Sequence, residues 1–402
     1  MSASEINARA RAIQPSATLA ISAKAASLQA EGKDVLSFSA GEPDFPPPKA
    51  VVDATAKKLA EGPVGYAPVP GYPALRKAVA EELGAYHGRK FKPEEVIVSC
   101  GAKHSLANFF LVTLDPGDEV IFQAPYWVSY PEMVALADGK PVAVPTTSAT
   151  GLKLTPDLLA QAITPRTKIL ILNSPSNPTG VGYTAQEVRA LGSVLAERAP
   201  QAWILCDDIY RKLTYDGYEH ASAFKALEGI TERIVLIDGL SKSHAMTGFR
   251  IGFTVAPVEI VKAMVALQGQ TTSGPATPSL WGAMAAMDEA ACAEELAEMR
   301  EAFTRRRRIM VDGLRAIPEV ELVEPNGAFY CFADFSAYVR MRPEFRDDLG
   351  FASWLLDEKL VAAVPGTAFG APGYLRLSFA TSDENIQKGL ARIAEACAEL
   401  RG

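Results

Sequence analysis

Short apolar runs, spaced along the middle of the chain, are the first pattern the sequence shows. Val96-Ile-Val-Ser99, Val120 to Gln123, Pro141 to Val144, Lys168 to Leu172, Trp203 to Cys206 and Ile234 to Ile237 are too short for helices, and most are too apolar for half-exposed strands. Runs of this kind mark strands buried on both faces of a sheet. Arg250-Ile-Gly-Phe-Thr-Val255 adds another. Helical stretches alternate with them, among them Val51 to about Ala60, Pro73 to Tyr86 and Ala102 to Leu114. The pattern predicts an α/β fold, a mostly parallel sheet sandwiched by helices.

The pattern changes at both ends. Beyond Pro257 it becomes helical, with a long stretch from about Pro278 to Ile317 whose apolar positions recur at helical spacing. Strands near Ala328 to Ala333, Val361 to Val364 and Tyr374 to Phe379, with helices Phe351 to Lys359 and Asp383 to Leu400, then predict a smaller α+β domain. At the other end, Pro15-Ser-Ala-Thr18 breaks the chain before a helix from Leu19 to Gln29. Ser39 to Pro48 is too proline-rich for regular structure and reads as a crossing between domains. The expected division is an arm at 1–14, a small domain from 15–47 and 296–402, and a large domain at 48–295.

Length and charge narrow the function. At 402 residues the chain exceeds one ordinary core. A net charge of −7 disfavours nucleic acid or anionic membrane as partner. Five scattered cysteines without a Cys-x-x-Cys suggest reduced thiols in a cytoplasmic protein, and four histidines without ligand spacing suggest no metal. No apolar run is long enough for an anchor or export signal. The Arg305 to Arg308 run, with Glu295, Glu298 and Glu301 nearby, reads as a solvated, salt-bridged helix face rather than a nucleic-acid patch.

The candidate chemistry centres on Asp238 to Gly252. Lys242 lies between two apolar strands, where α/β proteins bind ligands, with Ser241 beside it and Arg250 eight positions on. A buried lysine amine condenses with carbonyls, and an arginine among glycines suits a phosphate, so the aldehyde of pyridoxal phosphate is the suggested partner. A solvated loop lysine would look the same in isolation.

Five further strand-end stretches suit parts of that cofactor. Val98 to Lys103 puts Gly101 and Ala102 at a helix start, a seat for phosphate. Trp127 offers a flat surface for the ring. In Asn173 to Gly180, Asn177 suits a phenolic oxygen. Asp207 suits a ring nitrogen, with Tyr210 on the same side. In Tyr374 to Phe379, alternation turns Arg376 away from Leu375 and Leu377, free to grip a carboxylate by two bonds.

In order and spacing these stretches, together with Ala40-Gly-Glu-Pro-Asp-Phe45, Tyr66-Ala-Pro68 and Pro125 to Pro131, resemble the class I aminotransferases of the fold-type-I pyridoxal-phosphate superfamily. The prokaryotic-type aspartate aminotransferases, some of which also act on prephenate, are the nearest branch. The resemblance implies that Lys242 carries the cofactor and moves a proton between the substrate Cα and the cofactor's C4′ carbon. It implies that Arg250, Ser241, Gly101 and Ala102 hold the phosphate, that Trp127 stacks on the ring, that Asp207 pairs with its nitrogen, and that Asn177 and Tyr210 bind its phenolic oxygen. Arg376, helped by Asn177, would take the substrate's α-carboxylate, and Gly41 would come close to ligand. Tyr66 would reach the phosphate in a neighbouring subunit, making the functional unit a homodimer.

One departure bears on substrate. The segment Thr271 to Pro275 lacks the arginine by which another branch reads a distal carboxylate, and Lys103 stands where the branch resembled here uses lysine. Thr18 and Lys103 match the pair implicated in prephenate recognition. The expected reaction is a ping-pong exchange between aspartate and 2-oxoglutarate, with prephenate or an aromatic amino acid as alternative. A decarboxylase, lyase or synthase on the same cofactor, and a non-enzymatic regulator on the same fold, are the remaining readings.

Overall fold

The structure, a computed structural model, describes residues 6, 7, 11, 13 and 17–402, with 17–19 as backbone only. Most of the expected arm at 1–14 therefore lies outside the described residues. In chain order the first strands are β1 (Leu36–Ser37), β2 (Val96–Cys100), β3 (Glu119–Ala124), β4 (Lys140–Pro145), β5 (Thr167–Asn173), β6 (Trp203–Asp207), β7 (Ile234–Gly239) and β8 (Ile251–Val255). The last seven of these form one sheet in the order β2-β8-β7-β6-β5-β3-β4. β8 alone runs antiparallel to its neighbours, β2 and β7. The α/β fold with a mostly parallel sheet is thus observed.

Strands β3, β7 and β8 are buried at every position, as their apolar runs predict, and the burial extends to the polar Glu119, Gln123, Asp238 and Thr254 within them. β4 differs: it sits at the sheet edge with only Val144 buried, and an edge is where Pro141 costs no ladder bond. Helices cover both faces. Pro73 starts Pro73–His87, and Gly88, at φ 70°, ends it. A reciprocal Thr184–Glu187 capping box starts Ala185–Arg198.

The later strands are β9 (Glu321–Leu322), β10 (Tyr330–Asp334), β11 (Val361–Ala362), β12 (Val364–Pro365) and β13 (Tyr374–Ser378). They make an antiparallel sheet β12-β13-β10-β9, while β11 pairs with β1 in parallel. The strand expected from Ala328 begins two residues later, because Ala328 itself takes a left-handed φ of 55°. Phe303, Phe329, Phe335 and Phe379 fill the core beside this sheet, separate from the cores on the two faces of the larger one.

The stretch expected from Pro278 to Ile317 is two helices, Thr277–Ala286 and Glu289–Arg315. Asp288 divides them by accepting the Ala291 N–H at 3.2 Å. The second helix buries Cys292 in one core and Met299, Phe303 and Met310 in another. Its arginine run is a solvated, salt-bridged face only in part: Arg305 and Arg308 are exposed and paired with Asp383 and Asp216, whereas Arg306 and Arg307 are buried. Their partners come from other elements, Asp44 and Asp383 for Arg306, Asp216 and Glu324 for Arg307. Tertiary packing decides there, and the local glutamates do not supply these pairs. Among the described residues no helix is long and apolar enough to cross a membrane, and no cluster of His, Cys, Asp or Glu could hold a metal.

Candidate active site

The C-terminal ends of β2, β3, β5, β6 and β7 open onto a cavity of about 690 Å³, closed from the far side by Arg376 on β13 and Tyr330 on β10. Lys242, three residues past β7, lies inside it and donates to the Gly41 carbonyl at 2.5 Å. Burial brings its amine down from the usual 10.5 to about 8, opposed by Glu42 and assisted by Arg250, Arg376 and Lys103. At pH 7 about a tenth of such an amine is neutral, against well under a thousandth at the ordinary value, and the neutral amine is the nucleophile.

Asp207, the last residue of β6, lines the same cavity. Tyr130 donates to Asp207 Oδ2 at 2.6 Å, whereas Oδ1 is buried without a partner. Burial pushes this carboxyl up to about 7, the Tyr130 hydrogen bond acting the other way. Asn173 ties the floor together: its Nδ2 donates to the Asp207 carbonyl at 2.9 Å, and its Oδ1 accepts the Asn177 N–H at 2.9 Å. Tyr210 and Tyr330 pair through their hydroxyls at 2.9 Å.

The antiparallel hairpin of β7 and β8 brings Arg250 to the same end as Lys242. Arg250 takes a φ of 54°, which sends its side chain toward the start of the helix Ala102–Thr113. A Cβ on Gly101 would stand 2.6 Å from Arg250 Nη2, and one on Gly252 would stand 2.2 Å from Ala102 N. Both glycines are required by that close approach. The helix start has no side-chain cap, and Ala102, Ser241 and Arg250 all line the cavity.

Arg376 is almost fully buried. It donates to Asn177 Oδ1 at 3.2 Å and to the Ser39 carbonyl at 2.7 Å, while its Nε has no partner. Its guanidinium lies 4.5 Å from the Tyr330 ring centre. Lys103 holds its ammonium 5.0 Å from the Trp127 ring centre, and burial, with Arg250, lowers its affinity for a proton.

The cavity therefore brings together Gly41, Ala102, Lys103, Trp127, Asn177, Asp207, Tyr210, Ser241, Lys242, Arg250 and Arg376. Gly101 adjoins it through Arg250. Two candidates stand apart. Tyr66 is fully exposed and lies beside Ser273 to Thr277, outside this cavity. Thr18 is in the first turn of the helix Ala17–Ala30, and its side chain lies outside the described residues, although Ser22, one turn on, lines the cavity. Tyr130, Tyr330, Ser39 and Asn173 were not singled out from the sequence as site residues. Tyr130 follows Trp127 by three residues on one helical turn, a spacing that could have been used; Tyr330 and Ser39 come from distant segments with no local signal.

Residues 33–393 match the family described as aminotransferase class I and II. The chain belongs to that family. This aminotransferase is 46% identical over 385 residues to an aspartate aminotransferase of Geobacillus stearothermophilus, an alignment taking in 96% of this chain and 97% of the relative. It is 43% identical to an aspartate/prephenate aminotransferase of Cereibacter sphaeroides, covering 96% and 97% of the two chains. Among solved structures, the Thermus thermophilus aspartate aminotransferase with maleate superposes on the aminotransferase with a TM-score of 0.91 at 42% identity, over 97% of this chain and 99% of that one.

Proposed function

We propose that the protein exchanges amino groups between aspartate and 2-oxoglutarate, using pyridoxal phosphate held in this cavity. The observation that carries the reading is the buried, unpartnered Asp207 Oδ1 in a cavity shared with Lys242 and Arg376. A protonated ring nitrogen satisfies that oxygen, an aldehyde matches the amine of Lys242, and the Gly101–Ala102 helix start with Arg250 suits a phosphate. The residues present fit the group. When bound, its ring supplies a sink for the electron pair left at the substrate Cα.

Each residue then has a task. Lys242 would take the proton from the substrate Cα and deliver it to the carbon that carried the aldehyde, and would run the transfer in reverse for the second acid. Asp207 would keep the ring nitrogen protonated, the positive charge of that nitrogen and the Tyr130 hydrogen bond both favouring the ionised carboxylate against the burial that raises it. Trp127 covers one face of the ring, and Asn177 and Tyr210 donate to its phenolic oxygen. Arg376 grips the α-carboxylate, and Lys103 leaves Trp127 to meet the distal carboxylate. Maleate, a dicarboxylate, in the Thermus structure supports a site for two carboxylates. A substrate with a single carboxylate would leave Lys103 without a mate.

The assembly belongs to the same reading. Tyr66, exposed and outside its own cavity, serves the site of a second copy, so the working unit is a cytoplasmic homodimer with shared sites. The small domain is formed by 15–47 and 296–402, the large by 48–295. Prephenate is the second reading, supported by the Cereibacter relative's name and by Lys103 with Thr18. The test is to mix the cofactor-loaded protein with aspartate, glutamate, prephenate and phenylalanine singly, and follow conversion of the cofactor to its amine form by absorbance. Conversion by aspartate, abolished in Lys242→Ala, is expected. Binding without conversion would point instead to a regulator on this fold.

A further inference from the structure

Behind the cavity wall lies a buried ion network that the chemistry above does not use. Arg211 follows Tyr210 in the turn after β6 and is only 6% exposed. Its Nε donates to Asp238 Oδ2 at 2.6 Å, and its Nη2 donates to the two oxygens of Glu82 at 2.7 and 2.8 Å. Asp238, near the end of β7, uses its other oxygen to accept the Gly239 N–H at 2.7 Å. The guanidinium lies 4.4 Å from the Tyr86 ring centre, so it is held on its flat side as well.

What the network connects is telling. Asp207 and Tyr210 line the cavity, whereas Arg211 and Asp238 do not. The ladder between β6 and β7 ends at the pair Asp207 and Ile237, followed by the Asp208 N–H donating to the Ile237 carbonyl at 2.9 Å. Past that point the two turns diverge, one carrying Tyr210 and the other carrying Ser241 and Lys242, and the Arg211–Asp238 pair bridges them from behind. A buried ion pair is an inefficient source of stability compared with apolar groups of similar volume. Holding two turns at a fixed separation is something an apolar pair does less well, because its contacts have no direction.

We propose that Arg211 is a positioning residue: by bridging Asp238 and Glu82 it sets the separation of Asp207 and Lys242 across the cavity. This rests on the proposed roles of those two residues. Arg211 touches neither substrate nor cofactor and acts through the two turns.

The test uses the cofactor-loaded full chain in two variants. Arg211→Lys keeps the charge but gives up the planar fork that serves Asp238 and Glu82 together. The double variant Arg211→Met with Asp238→Leu removes both charges at once, which leaves no unpaired ion on this pair and favours folding. In both, a misplacement of about 1 Å predicts a fall in kcat of up to roughly a hundredfold, with KM for aspartate nearly unchanged. The midpoint of the visible-absorbance pH titration, which reports the surroundings of the Lys242 nitrogen, moves with it. Melting followed by circular dichroism shows whether each variant is folded, and if Arg211→Lys is not, the double variant decides. A folded variant with wild-type kcat and a wild-type absorbance titration overturns the proposal, as does a loss that merely tracks the unfolded fraction. A wild-type protein that fails to transaminate would instead sink the function proposed above.

Discussion

Replacing Arg376 by lysine tests the α-carboxylate site with a number attached. The arginine carries five N–H donors. Two are committed to Asn177 Oδ1 and the Ser39 carbonyl, and the Nε donor is buried without a partner. A lysine has three donors on one atom; satisfying the same two oxygens leaves one for substrate, so a two-point grip becomes a single bond. Losing one charge-assisted hydrogen bond costs about 1.5–3 kcal/mol, a fall in kcat/KM of roughly ten- to 150-fold. Aspartate, glutamate and phenylalanine share the α-carboxylate, so the factor should be the same for all three. The assay is the single-turnover half-reaction at varied amino acid, followed by cofactor absorbance in wild type and Arg376→Lys. A loss confined to the two dicarboxylic acids would refute the reasoning, because Arg376 would then be reading the side chain.

Lys103→Ala should show the opposite selectivity, lowering kcat/KM for aspartate by about ten- to a hundredfold while leaving phenylalanine little changed; an equal loss for both would remove Lys103 from substrate recognition. Lys242→Met should stabilise the cofactor-free protein. The amine is held at about 8 against an ordinary 10.5, so its burial penalty is complete below pH 8, on the order of 3 kcal/mol, and fades as pH rises to 10.5. Denaturant midpoints at pH 7 and pH 10 check this, and a stability difference that grows with pH contradicts it. Mixing inactive Tyr66→Ala with inactive Lys242→Ala chains should restore roughly a quarter of wild-type activity, since half the dimers are then mixed and each has one intact site. No recovery in dimers shown to exchange would place Tyr66 in its own chain's site.

The buried strands were readable because an apolar run has the same meaning wherever it lies in a parallel sheet. β4 has the same kind of run, and only its place at the edge, set by the order in which strands assemble, exposes it. Asp207, Lys242 and Arg376 stood out because each is a charged residue at or beside an apolar strand. Tyr130 and Tyr330 did not, since an aromatic on a buried element looks like core until its hydroxyl is seen to face a carboxylate or another hydroxyl. The two inner arginines of the run, Arg306 and Arg307, escaped for a related reason. Their charges suggested solvent, whereas the carboxylates that make burial of Arg306 and Arg307 tolerable lie 17 or more residues away in sequence, on segments that only the fold brings near.

The helix Glu289–Arg315 has a mechanical consequence. It is 27 residues long, roughly 40 Å, with one end packed among residues of the sheet's core and the rest in the core beside β10 and β13. A rod gripped by both cores transmits torque. Relative rotation of the cores must be absorbed by bending the rod, by sliding its side chains at one end, or at the proline-rich crossing of residues 39–48. A stiffening substitution on this helix, far from any reacting atom, would thus raise the resistance to any such rotation.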